Sequence, residues 1–360
     1  MRQKIYSIIT GTGSYLPTRN IINSDFHQHT FYNSSGEKIE KTNEAITKQF
    51  QEITTIKERR YITDDLLTSD IAYLAAKEAI KSAKIDPESL DYIIMAHNFG
   101  DVKPNSKSVD IVPSLAARVK AKLKIKNPSA VAYDISFGCP GWLQAFIQAN
   151  YYIQSGDAKR ILIIGAETLS RVIDPHDVDS LLYADGAGAT IIEAQNSESP
   201  LGVIAHKTRS DTHVYSEMLY MDESYNSKHG GKENNYLKMN GRKIYQYALE
   251  TVPQAIKECL EKAKVSLVEV KKILIHQANG KMDDAILERL FALYNLKQIP
   301  ENIMPMTVSW LGNSSVATIP TLLDLIIKGK MEKHKLTKGD TLIFASVGAG
   351  MNINAMVYKY

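Results

Sequence analysis

A segment in the first half of the chain returns in the second at an offset of 180 residues, and this recurrence restricts the fold more than any single motif does. Ala76 to Gly100 reads AKEAIKSAKIDPESLDYIIMAHNFG, and Ile256 to Gly280 reads IKECLEKAKVSLVEVKKILIHQANG. Six of the 25 paired positions are identical: Lys77/Lys257, Glu78/Glu258, Ala83/Ala263, Lys84/Lys264, Ile93/Ile273 and Gly100/Gly280. Both segments read as helix, linker, strand and glycine turn. The same offset pairs 160–165 with 340–345, two apolar runs of buried-strand length. A repeat of this size implies two related α/β halves, placed at 1–196 and 197–360.

Within each half, apolar runs of strand length alternate with helical patterns, which predicts parallel or mixed sheets covered by helices. In the first half the strands are expected at 5–11, 92–96, 130–136, 160–166 and 187–193. Trp142, Ala145, Phe146, Ala149 and Ile153 follow helical spacing, so one stripe of that helix should be buried. Two polar stretches fall outside the repeat, 23–55 and 222–235, the latter containing Lys228-His229-Gly230-Gly231-Lys232. They read as insertions or mobile loops.

Composition narrows the function classes. The chain has 360 residues, 44% of them hydrophobic, enough for a large core. Forty-three Lys plus Arg against 40 Asp plus Glu leave a net charge of +3, too little to make nucleic acid the main partner. Cys139 and Cys259 lie far apart, with neither disulfide nor metal-ligand spacing, which favours a reducing compartment. No apolar run reaches membrane-spanning length and the start has no signal-peptide pattern, so a cytoplasmic protein without membrane insertion is expected.

Cys139 stands where the strand-like run 131–136 turns into the amphipathic helix through Phe137-Gly138-Cys139-Pro140-Gly141. A thiol at the first turn of a helix feels the positive end of the macrodipole, which favours the thiolate. Pro140 suits the first helical position, and the flanking glycines let a substrate carbonyl approach the backbone. A lone Cys is more often a small core residue; the glycine-flanked turn makes the nucleophile the better reading.

Three further features lie in the second half. His276 ends the strand-like run 272–275, where open α/β sheets place ligands. Asn313 sits on the glycine-flanked turn Gly312-Asn313-Ser314-Ser315, before a helix starting near Ala317. Ser346-Val347-Gly348-Ala349-Gly350-Met351 is a glycine loop between apolar runs, the pattern of a tight hairpin. None is specific alone, but with Cys139 they form a constellation with separate chemical roles. A thiolate attacking a carbonyl carbon needs donors for the developing oxyanion, and the backbone N–H groups of Cys139 and Ala349 can supply them.

Over nearly its whole length the chain resembles the beta-ketoacyl-acyl carrier protein synthase III family. The matching stretches are 11–17, Lys57-Glu58-Arg59-Arg60, Asp134 through Gly141, Tyr183-Ala184-Asp185-Gly186-Ala187-Gly188-Ala189, His276-Gln277-Ala278-Asn279, 312–315 and the C-terminal glycine loop. The resemblance implies the thiolase fold, two α/β halves in a five-layer αβαβα core, and a homodimer. It implies Cys139 as acyl-accepting nucleophile, with His276 and Asn313 as the condensation site for a malonyl or beta-ketoacyl thioester. Substrates would be phosphopantetheine-linked acyl thioesters, with no permanently bound cofactor or metal.

Departures from the family pattern bear on substrate choice. Short-chain members carry a Trp and an Arg ahead of the 57–60 motif that hold the adenine of coenzyme A; here the segment 43–55 has no Trp, while Arg171 matches another coenzyme-contacting Arg. An acyl carrier protein is therefore the expected donor. Val112 stands where short-chain members carry a bulky aromatic across the acyl tunnel, which points to longer or branched chains. Arg171, Arg242, Lys243, Lys281 and Arg289 are candidate contacts for the carrier protein or phosphopantetheine. The alternatives are a specialised synthase joining two acyl chains, as for dialkylresorcinol or cyclohexanedione products, and a Cys-His-Asn thioester hydrolase. A biosynthetic thiolase needs a second Cys in the C-terminal loop, and 348–350 has none. A non-catalytic partner subunit is disfavoured by the presence of all three reactive residues.

Overall fold

The computed structural model describes residues 4–106, 108–229 and 234–360, and in it the repeat holds almost residue for residue. The helices Thr68–Ala83 and Gly241–Ala263 end at the paired positions Ala83 and Ala263. The next residues, Lys84 and Lys264, both have φ 56° and stop their helices with a left-handed cap. Single 3-10 turns follow, at Pro87–Ser89 and Leu267–Glu269. The strands Tyr92–Ala96 and Val270–Ile275 come next. The second apolar pair also forms strands, Arg160–Thr168 and Thr341–Gly348.

Each half contributes one sheet. The first has the order Lys4–Tyr15, Asp185–Ser197, Arg160–Thr168, Tyr92–Ala96, Val131–Ile135. The second runs Gly202–Ser210, Asn352–Lys359, Thr341–Gly348, Val270–Ile275, which repeats the first four places. The neighbour pairs repeat too: two antiparallel contacts, then a parallel one, Arg160–Thr168 with Tyr92–Ala96 and Thr341–Gly348 with Val270–Ile275. The chain passes from one sheet to the other between Ser197 and Gly202.

Five layers result. The helices Thr68–Ala83 and Leu115–Lys122 cover the outer face of the first sheet, and Gly241–Ala263 with Gly280–Ala292 cover that of the second. Between the sheets lie Gly141–Ser155 and Thr318–Ile327, one helix from each half. The buried face of Gly141–Ser155 is broader than the expected stripe: Leu143, Ile147 and Asn150 are buried along with Trp142, Ala145, Phe146, Ala149 and Ile153, while Gln144, Gln148, Tyr151 and Ser155 on the other side are not. A helix packed against a sheet on either side buries more of its circumference than one lying on a single sheet. Trp142 meets Phe344 of the second sheet at 6.0 Å between ring centroids, in an edge-on contact. Each large apolar side chain so enclosed contributes about 1.5–3 kcal/mol. Cys259, 1% exposed, packs on the outer layer with its Sγ 3.5 Å from the Ala355 carbonyl.

The polar stretch 23–55 is not a mobile loop. It contains the helix Asn43–Thr54, capped by the Thr42 side chain on the Ala45 N–H and ended by Thr55 at φ 65°. Ile46, Phe50 and Thr54 are buried on its inner side. In the second stretch, Lys228 and His229 are described, whereas Gly230, Gly231 and Lys232 lie outside the described residues. Among the described residues no helix is long and apolar enough to cross a membrane.

Candidate active site

The carboxyl ends of the parallel strands of both sheets open on one cavity of about 1110 Å³, at the upper end of, or beyond, the usual small-molecule pocket range of roughly 300–1,000 Å³. Cys139, His276, Asn313 and Ala349 all line it. The repeat shows in its walls: Asn98 and Phe99 from one half, Ala278 and Asn279 from the paired positions of the other. The helix Asn43–Thr54 closes one side with Ile46, Phe50 and Ile53.

Two glycine turns hold the elbow. Gly138 has φ +61°, and a Cβ there would stand 2.6 Å from the Ala349 nitrogen. A Cβ on Gly348 would fall 2.4 Å from the Cys139 nitrogen. Only glycine fits both places, and the contact brings the backbone of the C-terminal loop against the nucleophile's turn. Pro140 occupies the N-cap of Gly141–Ser155, one place earlier than expected, with φ −70° and ψ 0°.

The thiol does not rest as a thiolate. Burial pushes the Cys139 pKa up to about 11, and the charge of Glu167 adds to the rise. A hydrogen bond from Ser315 Oγ to Sγ at 3.4 Å opposes the shift without cancelling it. The loss of water around the sulfur thus opposes the expected helix-end activation. In the free protein, iodoacetamide should alkylate Cys139 more slowly than free cysteine at neutral pH, with the rate still climbing above about pH 9. A plateau reached below about pH 8 would contradict this.

His276 leaves the strand Val270–Ile275 with its N–H bonded to the Ala345 carbonyl at 2.9 Å, which fixes its backbone. The residue is buried, and desolvation lowers its pKa to about 4, so the ring is neutral at working pH. Its Nδ1 has no partner among the described residues. Asn313 is tied to the other half by backbone bonds: its N–H donates to Leu182 O at 2.9 Å and its carbonyl accepts from Ala184 N at 2.8 Å. Its Oδ1 accepts from the Ser315 N–H at 2.9 Å, which orients the amide. The amide nitrogen is left to serve the cavity as a donor. A neutral imidazole and an oriented amide are the donor types that stabilise an enolate oxygen.

Sequence reasoning missed a set of residues behind the thiol. Asn98 Nδ2 donates to Glu167 at 2.7 Å and reaches Ser315 Oγ at 3.5 Å. Ser315 takes φ 52°, a conformation costing a non-glycine residue on the order of 1–3 kcal/mol, and in it holds both Asn313 and Cys139. Glu167 is fully buried, with its pKa raised to about 7 by desolvation. Asn98 lies in the repeated segment and Ser315 in the Asn313 motif, so both were within reach; nothing in the sequence marks Glu167.

Other sequence candidates are placed differently. Arg242 lines the cavity. Lys243 and Lys281 are exposed on the first turns of the helices Gly241–Ala263 and Gly280–Ala292. Arg289 is exposed eight residues beyond Lys281, about 12 Å along the helix and away from the cavity end. Arg171 does not face the cavity: it donates to Thr63 O at 3.1 Å and lies 3.8 Å from Asp64, with only 8% of its side chain exposed. Val112 is 83% exposed and lines no part of its own chain's cavity, because the segment that carries it projects beyond the short ladder of Asp101–Val102 and Val109–Asp110.

Comparison with known proteins decides the family. The 3-oxoacyl-(acyl-carrier-protein (ACP)) synthase III family matches residues 133–212, and its C-terminal counterpart matches 260–360. The chain belongs to this family. A beta-ketoacyl-(acyl-carrier-protein) synthase III of Aquifex aeolicus (strain VF5) is 33% identical over 353 residues, covering 98% of this chain and 99% of that one. The crystal structure of the 3-oxoacyl-(acyl-carrier-protein) synthase III from Aquifex aeolicus VF5 superposes with a TM-score of 0.77 at 30% identity, covering 100% of both chains. That of the Thermus thermophilus synthase III gives 0.79 at 29% identity, covering 98% of each. The protein is therefore a condensing enzyme of the acyltransferase type with the thiolase fold. Members of this synthase III family take acyl carrier protein as the substrate partner.

Proposed function

We propose that the enzyme loads an acyl group from an acyl carrier protein onto Cys139 and condenses it with a second carrier-bound thioester, malonyl or beta-ketoacyl. The observation that carries this reading is the meeting of Cys139, His276 and Asn313 at one apolar cavity. In loading, Sγ forms a bond to the thioester carbon, the N–H groups of Cys139 and Ala349 hold the oxyanion, and the pantetheine thiol leaves with the Cys139 proton. In condensation, a malonyl thioester loses carbon dioxide, and His276 and Asn313 hold the enolate oxygen. The carbanion then attacks the acyl carbon, and the Cys139 sulfur departs. The substrates bring their own phosphopantetheine arm, so no resident cofactor is needed.

The donor is assigned to carrier protein rather than coenzyme A because Arg171 is turned away from the cavity and the helix Asn43–Thr54 offers no Trp. Arg242, Lys243 and Lys281 supply positive charge for the carrier protein or phosphopantetheine. The enzyme acts as a homodimer, and Val112 serves as an acyl-tunnel residue only if its apolar tip, with Val109 and Ile111 each 52% exposed, reaches a second copy. A specialised synthase joining two long acyl chains is the second reading, favoured by the volume of about 1110 Å³ and its largely apolar walls.

Intact-protein mass spectrometry after incubation with matched acyl-carrier proteins and acyl-coenzyme A thioesters tests the proposal. An acyl mass on Cys139, gained faster from the carrier protein, is expected. A faster gain from coenzyme A overturns the donor assignment. Product formation from carrier-bound long beta-ketoacyl chains but not from malonyl would select the second reading.

A further inference from the structure

Among the donors that line the cavity, Tyr183 is one that loading and condensation leave unused. Tyr183 lines the cavity with Cys139, His276 and Asn313 and is 4% exposed. Its phenol oxygen is buried and has no hydrogen-bond partner among the described residues. The backbone on either side is bonded to Asn313, Ala184 N to Asn313 O at 2.8 Å and Asn313 N to Leu182 O at 2.9 Å, so Tyr183 is paired with a residue of the proposed condensation site. Burial raises its pKa well above the ordinary value, and the charges of Asp179, Cys139, Asp177 and Tyr225 push the same way, so the hydroxyl keeps its proton. Asp179 lines the same cavity as Tyr183 and Cys139.

A buried hydroxyl without a partner is unfavourable, and a phenylalanine of the same shape would avoid that penalty. Such a group makes sense where a ligand completes it, and a site built around a substrate oxygen discriminates against analogues that lack it. We propose that the acyl group carried on Cys139 bears a hydroxyl or oxo oxygen near its thioester end, and that this oxygen accepts a hydrogen bond from Tyr183. The inference rests on the ketosynthase reading and adds the class of acyl chain.

The test compares loading of Cys139 from carrier proteins bearing 3-hydroxy, 3-oxo and unsubstituted acyl chains of equal length, in the wild type and in Tyr183→Phe. Thermal unfolding checks that the variant is folded. In the wild type, kcat/KM for at least one oxygenated chain should exceed that for the unsubstituted chain by tenfold or more, and Tyr183→Phe should bring the ratio towards one. Adducts that form with no preference in the wild type, or with a preference the variant retains, overturn this inference and leave the ketosynthase reading in place. No adduct on Cys139 from any chain overturns both.

Discussion

Replacing Cys139 by alanine leaves a folded protein that takes up no acyl group. The sulfur hangs from a turn fixed by backbone contacts with the glycine loop, so its loss removes little packing and unfolding should move by no more than about 1 kcal/mol. Mass spectrometry should show no covalent adduct from any carrier-bound donor, and condensation should fall to background. The control is Cys259→Ala: Cys259 is 1% exposed in the outer layer, so its replacement lowers stability by the usual cost of a small core cavity while acylation continues. Persistence of the adduct in Cys139→Ala would remove the nucleophile from the proposal altogether.

His276→Ala and Asn313→Ala should separate the two half-reactions. Each removes one donor to the enolate oxygen, for which losses on the order of a hundredfold to a thousandfold are usual. Both variants should still accumulate the acyl form of Cys139, because the oxyanion donors for loading are backbone groups that neither change disturbs. Because His276 is neutral above about pH 4, the condensation step should show no ionisation of this residue between about pH 5 and 9 in single-turnover measurements on preformed acyl enzyme. Should both variants lose loading as well, His276 would be the base that deprotonates Cys139, which is the arrangement of a Cys-His-Asn hydrolase.

Legibility in the sequence followed a physical line. The offset of 180 residues located paired helix ends, turns and strands, because backbone patterns repeat when two segments build the same layers. As cavity-wall positions, Cys139 and Ala349 were legible because each sits on a glycine turn after a strand, His276 because it directly follows a strand, and Asn313 because it follows a glycine on a turn. Direction and depth of long side chains were not. Arg171 turns to Thr63 O, a direction set by a tertiary contact that a motif does not encode. The thiol's surroundings were hidden for the same reason: the macrodipole is visible from the helix pattern, whereas the desolvation that opposes it arises only when both halves meet around the sulfur.

The middle layer, one helix from each half, sets a limit on how this chain can change. Trp142 of Gly141–Ser155 rests on Phe344 of the opposite sheet, and Asn313, just ahead of Thr318–Ile327, is stitched by its backbone to Leu182 and Ala184. The two repeated halves are therefore not independent, since each completes the interior of the other. A substitution in either central helix is read by both sheets at once, so diversification is confined to the cavity's outer walls, such as the helix Asn43–Thr54, where new substrates can be accommodated without disturbing the shared interior.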